Sequence, residues 1–193
     1  MDHIIQKLKN EEVILLPTDT VPGLCCKMSS NKAVQDIYTL KRREFNKPLA
    51  IIASDWRMVE KLFFFNRNIL RLLTADISIT VIAQQRPNLN LPRYLNIKNQ
   101  TIALRITKDN FLKKLIRKLG EPIAATSANL SGNQPSIAEL YREFAEFIPK
   151  NYNFTYNFSK TASPIIDCTI WNKAKIIRAD QAQRNLLKNL LAK

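Results

Sequence analysis

Three glycines, Gly23, Gly120 and Gly132, are all that a chain of 193 residues contains. Ordinary usage of roughly 7% would supply about 13. Glycine enters left-handed backbone without steric cost, so its scarcity restricts the tight turns available and excludes collagen-like architecture. Neither a Walker loop nor a G-x-G-x-x-G turn is present, which removes the common glycine-rich phosphate cradles. Where the three glycines sit is therefore informative.

The rest of the composition describes a folding chain. Hydrophobic residues make up 46%, and the length suits one ordinary domain, 1–193, with a core that needs neither disulfides nor a structural metal. Thirty Lys and Arg face sixteen Asp and Glu, a formal charge of +14. The excess is +6 over residues 1–100 and +8 over residues 101–193, so no detachable basic arm carries it. A field this positive favours polyanionic partners, nucleotides or RNA among them, over a merely soluble basic surface only weakly. Cys25, Cys26 and Cys168 form no C-x-x-C pair, and the adjacent two read as strand fillers pointing to opposite faces. His3, the single histidine, falls in an amphipathic stretch and reads as an exposed helix residue. With no signal-peptide pattern and no long apolar run, a soluble cytoplasmic protein without a membrane segment is expected.

Helical and strand patterns alternate along the chain. Helices are expected over residues 2–10, 29–43, 55–64, 67–74, 109–119, 136–147 and 180–192. Strands are expected over 13–17, 23–27, 48–53, 77–83, 101–107, 122–126, 165–170 and 175–178. Ser29 or Ser30 and Asp109 serve as N-caps, and Gly120 as a C-cap. Residues 150–160 read as irregular. The pattern specifies an α/β fold around a mixed sheet flanked by helices.

Three polar segments interrupt the apolar strands. Pro17-Thr18-Asp19-Thr20-Val21-Pro22-Gly23 puts two hydroxyls and a carboxylate at a strand end, equipment for a small polar ligand or simply a capped turn. Lys41-Arg42-Arg43-Glu44-Phe45-Asn46-Lys47 carries four bases in seven residues between a helix and a strand. Such a cluster complements a helix dipole, and it equally suits a polyphosphate. In Thr126-Ser127-Ala128-Asn129-Leu130-Ser131-Gly132, Ser127 and Asn129 alternate across Ala128, which allows a shared site or an Asx/Ser turn.

Taken in this order and spacing, T-D-T-V-x-G, K-x-R followed by P-L, and S-A-N-x-S-G resemble the YrdC/TsaC family of threonylcarbamoyl-AMP synthases. The likeness runs from Val13 to about Arg178 and matches the short, single-domain type, ending too soon for a further C-terminal domain. It implies a twisted, open mixed α/β sheet with a basic central cavity. It also implies that L-threonine, bicarbonate or CO2, and ATP are converted to threonylcarbamoyl-AMP and pyrophosphate. Partner proteins then carry the group to the adenosine beside the anticodon of tRNA.

By the same resemblance Thr20 and Arg105 bind threonine. Lys41 and Arg43 act on the phosphates as catalytic residues, and Lys41, Arg43, Thr80, Ser127, Asn129, Ser163 and Arg178 hold ATP. Asp167 matches a late aspartate of structural role. In that reaction the carbamate of threonine attacks the α-phosphorus, so the protein need not supply a Ser, Cys or His nucleophile. Positioning and charge neutralisation remain, and Mg²⁺ is expected on the nucleotide rather than in a protein cage.

The chain departs from the family pattern at Pro22, where relatives carry Tyr or Phe, and at Ala75–Thr80, where only Thr80 of W-P-G-P-L-T survives. Ile77 and Asp180 stand where the family has glycine, and Glu44 replaces a proline. An alternative reading keeps the fold and gives up the reaction: an RNA-binding protein assisting tRNA or ribosome maturation without catalysis. A carbamoyl-adenylate-forming relative of hydrogenase maturation proteins is disfavoured, because the modules accompanying that domain are missing.

Overall fold

Strand and helix boundaries follow from local chemistry in the computed structural model, which describes residues 1–64, 66–95, 100–129, 137–149 and 161–191. Helix α1 (Asp2–Lys9) buries Ile4, Ile5 and Leu8, one stripe at helical spacing. Strands β1 (Ile14–Leu16) and β2 (Gly23–Lys27) follow, then α2 (Asn31–Leu40), whose first turn is closed by Ser30 accepting from the Ala33 amide at 3.0 Å. Strand β3 (Ala50–Ala53) leads to a one-turn α3 (Trp56–Val59) and to α4 (Arg67–Thr74), capped by Asn66. After β4 (Thr80–Gln84) and β5 (Thr101–Ile106), α5 (Asn110–Leu119) starts on the Asp109 carboxylate, 2.7 Å from the Leu112 amide, and stops at left-handed Gly120. Strand β6 (Ile123–Ser127), α6 (Ile137–Phe144), β7 (Ile165–Asp167), β8 (Lys175–Arg178) and α7 (Gln181–Leu191) complete the order.

The eight strands form one open sheet in the order β1-β2-β6-β3-β5-β4-β7-β8. Pairs β3–β5 and β4–β7 are parallel and the remaining pairs antiparallel, so the sheet is mixed, as expected. Side chains alternate between its faces. Cys26 joins a large apolar layer that includes Val34, Ile37 and Leu72 from α2 and α4, while Cys25 joins a second layer with Leu8, Leu112, Leu115 and Ile116 from α1 and α5. The adjacent cysteines are thus the strand fillers that alternation requires, and burial pushes the Cys25 thiol up to about 12. His3 is exposed on α1. No helix among the described residues is long and apolar enough to cross a membrane.

Several boundaries differ from the sequence expectation: the strand expected over 77–83 begins only at Thr80 and the one expected over 48–53 at Ala50, and three further differences have a local chemical cause. The helix expected over 55–64 ends at Val59, because Phe63 forms a bridge with Gln85 and the Phe64 amide donates to the Gln84 carbonyl at 3.1 Å. Pairing with the sheet displaces helical continuation. The strand expected over 165–170 ends at Asp167, whose carboxylate accepts from the Thr169 amide at 2.9 Å and its hydroxyl at 2.7 Å, turning the chain off the sheet. Helix α2 stops at Leu40 rather than Arg43, with Lys41 as C-cap and Arg42 left-handed at φ 48°. The Arg42 and Arg43 amides turn back to Thr39 and Tyr38, a Schellman closure with arginine where glycine is usual. Residues 150–160 and the part of the third polar segment from Leu130 to Gly132 lie outside the described residues.

Candidate active site

On the sheet face that carries Cys25, helices α1 and α5 cover one half. Over the other half the same face floors a cavity of about 460 Å³. Alternation selects its floor: Gly23 from β2, Ala125 and Ser127 from β6, Ala50 and Ile52 from β3, Ala103 and Arg105 from β5, Thr80 and Ile82 from β4. Glycine and alanine at 23, 50, 103 and 125 keep the floor low. At Gly23 the requirement is steric, since a Cβ would stand 3.2 Å from the Thr126 carbonyl oxygen across the β2–β6 pair.

One wall is a chain of buried hydroxyls gathered around a guanidinium. Arg105, 7% exposed, donates from Nη1 to Thr20 Oγ1 at 3.0 Å and to Ser163 Oγ at 3.2 Å. Ser163 Oγ is also 2.9 Å from Thr80 Oγ1. Thr20 is held in turn by Thr18, whose hydroxyl accepts from the Thr20 amide at 3.1 Å and donates to the Val21 carbonyl at 2.7 Å. Arg178 donates from Nη2 to the Ser163 carbonyl at 2.8 Å, which ties the edge strand β8 to this group. Opposite lies the basic segment: Arg43 reaches back to the Lys47 carbonyl at 2.7 Å and the Pro48 carbonyl at 3.1 Å, and Arg43 and Lys47 both line the cavity.

The electrostatics of the cations are unbalanced. Burial depresses the basicity of Arg43 and of Arg105. Arg178 is lowered too, by burial first and then by the positive charges of Arg105 and Arg43. Asp19 is the one carboxylate ion-paired to any of the three arginines among the described residues, at 3.7 Å from Arg105 Nη2. An anion entering the cavity would relieve this mutual repulsion.

Of the nine sequence-predicted site residues, seven line this cavity: Thr20, Arg43, Thr80, Arg105, Ser127, Ser163 and Arg178. Lys41 and Asn129 stand behind its wall. Lys41, 2% exposed, donates from Nζ to Thr126 Oγ1 at 3.1 Å, to the Ser127 carbonyl, and to Asn129 Oδ1 at 3.4 Å. Ser127 Oγ also donates to Asn129 Oδ1. The K-x-R and S-x-N segments, far apart in sequence, are therefore physically joined. Asp167 lies outside the cavity and serves the turn after β7. The sequence reading did not name Thr18, Lys47 or Thr126 as site residues, although each stands inside a quoted polar segment and lines the cavity.

Chemically, the cavity offers hydroxyls and cations. No His or Cys is among its lining residues, and among the described residues no group of three or more His, Cys, Asp or Glu side chains comes together to hold a metal ion. This donor set suits a small anionic ligand. The arrangement is that of an open-sheet α/β protein with a cation-lined pocket for a small ligand.

A family model for Sua5, YciO and YrdC, described as "Telomere recombination", matches residues 6–180. The chain belongs to this family. It is 31% identical over 156 residues to the threonylcarbamoyl-AMP synthase of Baumannia cicadellinicola, covering 76% of this chain and 77% of that protein. The synthase of Klebsiella pneumoniae is also 31% identical, over 76% of this chain and 80% of its own length. Among solved structures, Escherichia coli YciO superposes with a TM-score of 0.75 at 20% identity, covering 92% of this chain and 87% of that one. Pyrococcus abyssi Sua5, solved in complex with L-threonine, gives 0.75 at 24% identity over 91% of this chain. The chain spans about half, 52%, of that longer protein.

Proposed function

We propose that the chain is an L-threonylcarbamoyladenylate synthase, joining L-threonine, bicarbonate or CO2, and ATP to give threonylcarbamoyl-AMP and pyrophosphate. The observation that carries this reading is the arginine group around one cavity, Arg43, Arg105 and Arg178, with one carboxylate ion-paired to it among the described residues and buried hydroxyls gathered at Arg105. Kinship with proteins named threonylcarbamoyl-AMP synthase supports it, and so does the L-threonine complex of Pyrococcus abyssi Sua5.

In this reading Arg105, already bonded to Thr20 and Ser163, orients the threonine carboxylate, with Thr20 beside the substrate. The threonine amine takes up CO2 as a carbamate, whose oxygen attacks the α-phosphorus of ATP while pyrophosphate leaves. Arg43, Arg178 and Lys47 neutralise phosphate oxygens, Ser127 and Thr80 supply short donors, and the Lys41–Asn129 contact keeps the Ser127 segment in place. Magnesium, bound by the nucleotide, would neutralise further phosphate charge. The product then serves threonylcarbamoyladenosine formation beside the anticodon of tRNA, through partner proteins that accept the activated group.

The test is pyrophosphate release by purified protein given ATP, Mg²⁺ and bicarbonate, with and without L-threonine. Release that requires threonine, and that falls by about a hundredfold or more in Arg43→Ala, is expected. Absence of threonine-dependent release, together with salt-sensitive binding of RNA, would replace the reading with a non-catalytic RNA-binding role.

A further inference from the structure

Asp19 is a member of the first polar segment to which the proposed reaction assigns no role. Its carboxylate is nonetheless the most heavily engaged acid near the cavity. Oδ2 accepts from the Ser78 hydroxyl, just ahead of β4, and from the Lys108 amide at 2.6 Å, just beyond β5. Oδ1 faces Arg105 Nη2 at 3.7 Å, too long for a hydrogen bond, with the two side chains only 9% and 8% exposed. Both Asp19 Oδ1 and Arg105 Nε are buried without a hydrogen-bond partner. The pair is therefore held by charge alone and not by the bidentate fork that arginine and carboxylate usually adopt. Asp19 is not among the residues lining the cavity.

This geometry separates two sides of one guanidinium. Nη2 faces Asp19, behind the wall, and Nη1 faces Thr20 and Ser163, both of which line the cavity. Asp19 is fixed from outside by Ser78 and Lys108, so its position is independent of any ligand. We propose that Asp19 is a positioning residue: its carboxylate sets the orientation of Arg105 and thereby the affinity of the cavity for the carboxylate of an amino-acid substrate, without touching that substrate. Asp19 also compensates the charge of Arg105, which leaves Arg43 and Arg178, neither of them ion-paired among the described residues, to the polyphosphate. The inference rests on the synthase reading and divides its site into an amino-acid end that depends on Asp19 and a nucleotide end that does not.

The experiment is calorimetric titration of wild type, Asp19→Asn and Ser78→Ala with L-threonine and, separately, with ATP and Mg²⁺, paired with KM values for both substrates. Asp19→Asn keeps the shape and removes the charge. It is expected to weaken threonine binding by about tenfold or more and to leave ATP within about twofold. Ser78→Ala, which loosens the carboxylate while keeping its charge, shifts threonine the same way by less. Equal loss for both ligands, or a fall in melting temperature with threonine affinity unchanged, would assign Asp19 a structural role and overturn the proposal. Wild-type protein that binds ATP but no threonine would overturn the synthase reading itself, and this role with it. Should Asp19→Asn fail to fold, threonine affinity unchanged in Ser78→Ala overturns the proposal alone.

Discussion

One face of the sheet is used in two ways along the same strands. Under α1 and α5 it presents Ile123 and Cys25, both fully buried in a dry apolar layer. Two residues further toward the cavity, β6 offers Ala125 and then Ser127, and two residues back along β2 stands Gly23. Period-two alternation keeps all of these on one face, so neither topology nor register distinguishes the halves. Side-chain size does. Where α1 and α5 cover the face, Ile123 and the helix leucines fill the space; over the cavity, Gly23, Ala50, Ala103 and Ala125 stay low between Ile52 and Ile82, with polar side chains among them. A ligand pocket here is the part of a core left unfilled.

That contrast can be broken from either side. On the covered half, Ile123→Ala removes buried carbon and leaves a cavity, so equilibrium denaturation should show a loss of about 2–5 kcal/mol with activity per folded molecule retained. On the open half, Ala103→Leu adds three carbons to the floor between Ile82 and Ala50. Threonine-dependent pyrophosphate release should fall by about a hundredfold, while stability loses less than the ~1–3 kcal/mol that overpacking a filled core costs. Equal stability losses at the two positions would erase the distinction.

The boundary between the halves has a pH signature. Burial raises the Asp19 carboxyl, but the Arg105 charge, the Lys108 amide and the Ser78 hydroxyl outweigh it, leaving the group below its ordinary value of 3.8. A depressed folded-state value contributes stability above the unfolded value and loses it as pH falls through the folded one. Melting temperature should therefore decline below about pH 4 more steeply in wild type than in Asp19→Asn.

The smallest effects concern backbone. Helix α5 ends on left-handed Gly120 at φ 88°, whereas α2 ends on left-handed Arg42 at φ 48°, beside the cavity segment. Gly120→Ala should cost about 1 kcal/mol, and Arg42→Gly should be neutral or stabilising by about 0.5 kcal/mol, both read by chemical denaturation. Glu11, Asn88 and Gln100 are left-handed as well, so a chain poor in glycine carries this strain on ordinary residues.

Much of this was legible in the residues. Caps at Ser30 and Asp109, the stop at Gly120 and the alternation of Cys25 and Cys26 are local chemistry, and each is where its own side chain or backbone requires it. The family resemblance named Thr20, Arg43, Thr80, Arg105, Ser127, Ser163 and Arg178, and these seven line one cavity. The interior position of Lys41 was not legible, because burial of a lysine depends on acceptors 85 and more residues away. Nor was the Asp19–Arg105 pair, which forms only when the loop after β1 meets the end of β5. Helix ends at Val59 and Leu40 were set by sheet pairing and a Schellman turn, which periodicity does not report.

The most direct measurement is mass-spectrometric detection of threonylcarbamoyl-AMP formed from ¹³C-bicarbonate, L-threonine and ATP by wild type and by Ala103→Leu. Labelled product from wild type and almost none from the filled-cavity variant is the predicted result. Equal product from both would place the chemistry outside this half of the sheet, and none from either would contradict the synthase reading.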